Sequence, residues 1–394
     1  MARDLRSLAY FLQYLNIEIQ IQGFEIWRKE FTRFRDRRDF DVCAQLISLA
    51  GTTKLDQESL DQVRFYEAEL ALLHDKNEYA ERLFRYLTAH ASADSLRAEV
   101  LYRLADIERG TGRFESALKN YQNALQIFRQ INDRTAIPYI LHMVGVIYWA
   151  QENLDEAIRF YEMSLQHYRD LYDGWSEQQL KPSNIVLNRE DIQRHMANIL
   201  RDIADAHRRA GRLEIAQDRL LESLKIQESI GATFETALTY LSLGKLNREK
   251  HLFPESITYY KKALAIAQKT ESAMVETESL FRLAEGCYLS GDYESAIDWA
   301  EKAVASASTF NFLNLKARAL LYQGLSQFML GSVPQGVDSL LSALEYASQF
   351  SPNVLGGVIV ETEKILPVII RSHVDLAERL QVAIKQYKDK LSKS

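Results

Sequence analysis

Apolar positions in this chain fall at helical spacing along most of its length, in paired runs broken by short turns. Between Ala98 and Asn132, Leu101, Leu104 and Ala105 set one run, Gly110, Thr111 and Gly112 interrupt it, and Ala117, Leu118, Tyr121, Ala124, Leu125 and Phe128 resume it. This spacing predicts two helices joined by a tight turn. The next copy reads Leu141, Val144, Gly145 and Tyr148, a turn at 151–153, then Leu154, Ala157, Ile158, Tyr161 and Leu165. Asn153 followed by Glu156 predicts a capping box at the start of its second helix. Gly211, His251, Gly291 and Gly331 mark the turns of further copies, and glycine suits such turns because it takes positive φ without strain.

Small residues run through these copies in step. Ala105 and Gly145 lie forty apart, as do Ala204, Gly244, Ala284 and Gly324 in succession. Twelve residues after each comes a second small position: Ala117, Ala157, Ala216, Ser256, Ala296 and Gly336. Seven further on come Ala124, Ser164, Ser223, Ala263, Ala303 and Ala343. Two antiparallel helices pack with axes about 8–10 Å apart, and the nearer crossing needs glycine or alanine. A bulky side chain at Gly145 or Ala216 should overpack, at about 1–3 kcal/mol. Tyr121, Phe128, Tyr161 and Tyr260 are expected to fill the spaces between neighbouring pairs. An internal repeat of this kind outranks other sequence signals for architecture.

A weaker copy covers 61–97, with Ala68, Tyr79, Ala80 and Phe84. The register predicts three regions: an N-terminal helical segment at 1–56, a solenoid of about seven helix pairs at 57–353, and C-terminal capping helices at 354–394. The capping pair is expected to split near Pro367, with Ser372 and Asp375 as a capping box; terminal caps hide the apolar end of a stack. Between Gly145 and Ala204 the step is 59 rather than forty. The nineteen extra residues predict an insertion near 173–190, where Gly174, Pro182, Ser183 and Asn184 are turn signals. It is expected to be a decorated connection.

The order Leu-Gly/Ala, Gly-x-aromatic, Ala, Tyr, Ala-Leu resembles the tetratricopeptide repeat (TPR). Leu243-Gly244, Phe253, Tyr260 and Ala263-Leu264 carry it, as do Leu283-Ala284, Gly291, Tyr293, Ala296 and Ala303. The usual repeat is about 34 residues. The forty-residue version is similar to the TPR subclass of spindle-orientation adaptors and of bacterial Rap-type peptide sensors. The resemblance implies an all-α, right-handed superhelical solenoid whose first helices line a concave groove.

The net charge of −6 on 394 residues exerts no general pull toward nucleic acid or an acidic membrane. Arg33 to Arg38, with Arg28 and Lys29, is the densest basic stretch, but Glu25, Glu30, Asp36, Asp39 and Asp41 interleave it. A salt-bridged helical face is expected there, not a nucleic-acid site. Arg3 and Arg6 before Leu8–Leu15 only faintly suggest a signal peptide, since polar residues interrupt the run. No eighteen-residue apolar stretch exists, so no membrane span is expected. Cys43 and Cys287, far apart, form no disulfide framework, which suits a reducing, cytoplasmic setting. Cys287 is expected to be a packing thiol. Phosphate loops, nucleophile elbows and metal-spaced histidines are missing, so neither a cofactor, a metal nor a catalytic residue is expected.

What remains is a stripe on the first helices. It comprises Tyr102, Asp106 and Arg109; Tyr139, His142, Val146 and Trp149; Arg201, Asp205 and Arg208; Leu241, Lys245 and Arg248; Phe281, Glu285 and Tyr288; and Leu321, Leu325 and Phe328. The resemblance places this stripe in the groove, where its charged and aromatic members down to Tyr288 are the expected partner contacts. Asp106, Asp205 and Glu285 stand where some TPR co-chaperones carry the asparagine of a carboxylate clamp. A basic or amphipathic peptide is therefore the expected ligand, with those carboxylates accepting from its cations. Two functions follow: a non-catalytic adaptor gripping a partner's peptide or helix, or a Rap-like peptide sensor whose N-terminal helices act on a signalling or transcription partner. The oligomeric state is left open.

Overall fold

A computed structural model describes residues 12, 13, 15, 16, 19, 24–174 and 188–392. Among the described residues there are eighteen helices and no strand, and the chain is an all-α repeat solenoid. The insertion expected near 173–190, and the polar-interrupted run at the N-terminus, lie largely outside the described residues. Contacts divide the chain into two compact units, 1–189 and 190–394.

The first unit holds α1 (Phe24–Asp36), α2 (Phe40–Thr52), α3 (Gln57–Leu73), α4 (Asn77–His90), α5 (Asp94–Gly110), α6 (Phe114–Gln130), α7 (Ile137–Ala150) and α8 (Leu154–Asp173). The second, from α9 (Arg189–Arg209) onward, holds α10 (Leu213–Ser229), α11 (Thr233–Glu249), α12 (Phe253–Lys269), α13 (Ala273–Ser290) and α14 (Tyr293–Thr309). It ends with α15 (Leu313–Met329), α16 (Val333–Phe350), α17 (Pro352–Ser372) and α18 (Val374–Leu391).

The forty-residue period is two steps of twenty: a helix of about seventeen residues and a link of about three. From α5 to α8 and from α9 to α16, each link turns on one left-handed residue. In the second unit these are Gly211, Gly231, His251, Glu271, Gly291, Asn311 and Gly331; in the first, Gly112, Asn132 and Glu152 keep the same step. The amide after each left-handed residue reaches back to a carbonyl of the last helical turn, as in Arg212 N to His207 O at 2.9 Å and Asp292 N to Cys287 O at 2.9 Å. That closure satisfies the carbonyls orphaned where a helix stops. Glu271, at φ 53°, bears the Cβ cost that glycine escapes, about 1–2 kcal/mol. Part of that is offset because glycine makes the unfolded chain freer. Glu271→Gly is therefore expected to raise stability by roughly 0.5–1 kcal/mol, read as a higher urea midpoint at unchanged slope.

The small residues stand at the helix crossings. A Cβ added at Gly145 would come within 2.5 Å of the Tyr161 ring, and one at Gly244 would strike Tyr260. These tyrosines thus cover the glycine of their own pair, not only the gap to the next; Tyr260 also reaches Gly286 of the following pair. The serines of the register do more than stay small. Ser164 donates to Pro138 O at 2.6 Å, Ser223 to Ala197 O at 2.7 Å, and Ser256 to Gly244 O at 2.9 Å. Each buried hydroxyl thereby finds an acceptor on the facing helix.

In the first unit, Trp27 stacks on Phe31 and both meet Tyr66 of α3. Trp27 Nε1 donates to Leu46 O at 2.8 Å. The helices before residue 57 therefore share the core of the pairs after it. The arginine cluster does not lie on one helical face: α1 ends at Asp36, and Arg38 occupies the left-handed turn. Within the helix, Arg28 pairs with Glu25 at 2.6 Å and Arg33 with Glu30 at 3.2 Å.

At the other end, the expected break at Pro367 is absent. Helix α17 runs through Pro367 to Ser372. Ile365 and Ile369 are buried on either side of an exposed Pro367, so packing carries the helix past the missing amide. The Ser372–Asp375 capping box does not form either; His373 is the N-cap of α18 and makes no side-chain cap. Asn153 does cap α8, accepting from Glu156 N at 3.4 Å.

Candidate functional site

The second unit brings together stripe residues that lie forty apart in sequence. A single chain of ion pairs crosses α9, α11 and α13. Arg209 meets Asp205 at 3.3 Å, Asp205 meets Arg208 at 2.6 Å, and Arg208 reaches Glu249 at 2.5 Å. Glu249 lies 3.5 Å from Arg248, which reaches Glu285 at 2.6 Å. Glu285 is 2.9 Å from Arg282, Arg282 is 2.9 Å from Glu278, and Glu278 is 3.3 Å from Lys245. Cations and carboxylates alternate throughout. Tyr322 of α15 donates to Glu285 at 2.9 Å, carrying the connection to a fourth first helix.

Burial grades along this chain of charges. Arg282 and Glu285 are buried, whereas Arg208, Lys245 and Arg248 stay half-buried. Burial alone would lift the Glu278 carboxyl, but Arg282 and then Lys245 hold it down at about 2. Lys245 is nonetheless pushed below its ordinary value, first by burial and then by Arg282, because Arg208 also repels it while only Glu278 attracts it. Arg201 completes the stripe on α9, with its Nη1 buried and without a hydrogen-bond partner.

In the first unit the stripe is built on tyrosines. Asp106 accepts from Tyr121 at 2.5 Å and from Tyr139 at 3.0 Å. Burial raises its carboxyl, and both hydroxyls and Arg103 oppose that shift. Arg103 pairs with Glu69 at 2.8 Å, and Arg109 lies beside Tyr121. Tyr102 packs edge-on against Tyr139, and His142 lies against Tyr161. Trp149 is half-buried on α7.

Two stripe aromatics belong to the core: Tyr102 is 3% exposed and Phe281 1%. Tyr288 sits between Tyr293 and Tyr322, with ring centroids 5.8 and 5.6 Å away. Asp106, Asp205 and Glu285, offered by the sequence to an incoming cation, are already engaged by hydroxyls or guanidinium groups of the chain. Sequence reasoning missed Glu249, Glu278, Arg282 and Tyr322. The readable signal was Glu278, Arg282 and Glu285 at i, i+4 and i+7, a charged ladder on one helix face.

No group of three or more metal-ligating side chains is gathered among the described residues. None of their helices is long and apolar enough to cross a membrane. Burial pushes the thiols of Cys43 and Cys287 up to about 11, so neither is a ready nucleophile at neutral pH.

The family model for the tetratricopeptide repeat matches residues 96–170, 195–269 and 235–309. Tetratricopeptide repeat protein 29 of Trypanosoma brucei brucei is 21% identical over 232 residues. That alignment covers 59% of this chain and 46% of the relative; the chain thus spans about half the length of the curated relative it matches. Among solved structures, the apo form of RapI superposes with a TM-score of 0.71 at 13% identity, covering 95% of this chain and 98% of that one. The apo form of the quorum sensor NprR from B. thuringiensis gives a TM-score of 0.62 at 15% identity, covering 94% and 99%. At these identities the likeness is one of fold.

Proposed function

We propose that this chain, which belongs to the tetratricopeptide repeat family and resembles Rap-type sensors, is a non-catalytic interaction protein that holds a peptide or helix of a partner against the stripe on its first helices. The observation that carries this reading is the charge chain of the second unit. Three of its eight links, Arg208–Glu249, Arg248–Glu285 and Lys245–Glu278, tie one first helix to the next, so the face is held in place before any ligand arrives, and preorganisation lowers the cost of binding. A cationic peptide would have to displace arginine or tyrosine from Asp106, Asp205 and Glu285. In this reading the hold of the second unit rests on Arg201, on exchange within the half-buried pairs and on Tyr288, and that of the first unit on aromatic contacts at Tyr139, His142 and Trp149.

The test is a partner identified by co-purification and mass spectrometry, then measured against a variant carrying Arg201→Ala, Asp205→Asn and Arg208→Gln. Binding should weaken at least about tenfold, roughly 1.4 kcal/mol, while far-ultraviolet circular dichroism stays unchanged. Undiminished binding would remove this face from the function.

A peptide-sensing regulator is the second reading, favoured by the near end-to-end likeness to RapI, which covers 95% of this chain. Deleting α1 and α2 would uncover Tyr66 and confuse the outcome. Charge reversal at the exposed Arg37 and Arg38 separates the readings instead. A regulator should keep its ligand and lose its effect on the second partner, whereas an adaptor should keep both.

A further inference from the structure

A cavity of about 340 Å³ opens in the first unit between the α6–α7 link and the last turns of α8. Its origin is local. The link spans six residues, 131–136, where the repeat elsewhere uses about three. Asn132 takes the left-handed turn, and Asp133 then adds a second one, its Oδ1 accepting from Thr135 N at 2.9 Å and Thr135 Oγ1 at 2.6 Å. Phe128, Ile137 and Leu171 give the cavity an apolar lining; Arg129 and Arg134 add two guanidinium groups, Asp133 and Asp170 two carboxylates, and His167 an imidazole.

Among the described residues most arginines form ion pairs, and Arg129 and Arg134 are among those that do not. Among the described residues neither Arg129 nor Arg134 makes an ion pair or a side-chain hydrogen bond. Both act on His167, whose imidazole is held below its ordinary value first by burial; Asp170 opposes the shift, and Arg129 and Arg134 add to it. Two acids share the lining with them. Asp170 already accepts from Gln166 at 2.8 Å, and Asp133 is buried with one oxygen on Thr135 and the other without a partner.

We propose that this cavity binds a small organic anion, its carboxylate or phosphate held by Arg129 and Arg134 and its apolar body laid on Phe128, Ile137 and Leu171. Guanidinium groups grip such anions bidentately. Arriving negative charge offsets the field of the two arginines, which disfavours the protonated form of the half-buried imidazole. The two lining aspartates favour a singly charged group over a polyanion. The inference stands apart from the stripe and does not need a peptide ligand.

The experiment follows the His167 imidazole by NMR in the full chain, its resonance assigned by its loss in His167→Gln. It is titrated with pH alone, then with benzoate, with phenyl phosphate, and with sodium chloride at matched ionic strength. An anion beside the ring favours the imidazolium, so benzoate, phenyl phosphate or both should raise the midpoint saturably, by about half a pH unit or more. Whichever acts identifies the preferred head group. In Arg129→Gln/Arg134→Gln the rise should vanish. Both side chains are exposed, so the variant should keep the wild-type unfolding midpoint. No saturable rise with either compound, an equal rise in the double variant, or an equal rise with sodium chloride would overturn the proposal.

Discussion

Gly324→Val is expected to lower the stability of the second unit by about 3 kcal/mol or more. A Cβ at Gly324 would come 2.8 Å from Gly336 O and 2.8 Å from Leu340 Cγ. One at Gly336 would come 2.9 Å from Gly324 O. The two glycines thus lie at the crossing of α15 and α16 and let the backbones touch. At Gly145 and Gly244 the obstacle is a tyrosine ring, which can shift or be shortened. At Gly324 it is a carbonyl oxygen fixed in a helix, and it can give way only if the helices part. Parting would loosen the core of Leu321, Leu325, Val337, Leu340 and Leu344. Gly356→Val is the control, since nothing lies within 4 Å of the added Cβ. Its helix-propensity change is of the order of a few tenths of a kcal/mol. Urea unfolding of the two variants beside the wild type checks this. A Gly324→Val midpoint equal to the control would mean that the close crossing carries no energetic weight.

Arg282→Leu should be comparably costly, about 3–5 kcal/mol at neutral pH. Arg282 bridges two carboxylates of the charge chain, 2.9 Å from Glu278 and 2.9 Å from Glu285. Removing it leaves two carboxylates with too few cations in a site that has shed most of its water. The cost should depend on pH, and the sign follows from Glu278. In the wild type its carboxyl lies at about 2, below its ordinary 4.5. The stability it lends is full above about 4.5 and fades as pH falls toward 2. In the variant, burial would raise that carboxyl, and protonation would then relieve the unpaired charge. The deficit relative to wild type should therefore be widest near neutrality and shrink on acidification toward pH 4. Chemical denaturation at several pH values measures it; a deficit that stays flat would show that Arg282 contributes packing and not charge.

Much of this architecture is written locally. The small residues at forty-residue spacing mark where helices cross, and glycine, asparagine and acidic residues at twenty-residue spacing mark where the chain turns. Each requirement involves one residue and its immediate backbone, so it shows in the one-dimensional pattern. The reading failed where packing overrode a local preference. Pro367 should end a helix, but buried Ile365 and Ile369 carry α17 through it. Ser372 and Asp375 have capping chemistry at cap spacing, but the chain turns one residue late for them to use it.

The stripe shows the boundary most clearly. Helical geometry alone put Asp205, Lys245, Glu285 and their neighbours at equivalent places on successive first helices. Whether each charge would face solvent or another charge was not legible, because Arg208 meets Glu249 and Arg248 meets Glu285 across 41 and 37 residues of sequence. Such pairs depend on the offset and rotation between neighbouring helices, which follow from how several side chains pack at once. Periodicity is a property of the covalent chain and its allowed torsions, so the order of residues contains it. Pairing is a property of distances between separate helices, and those exist only once the stack has closed.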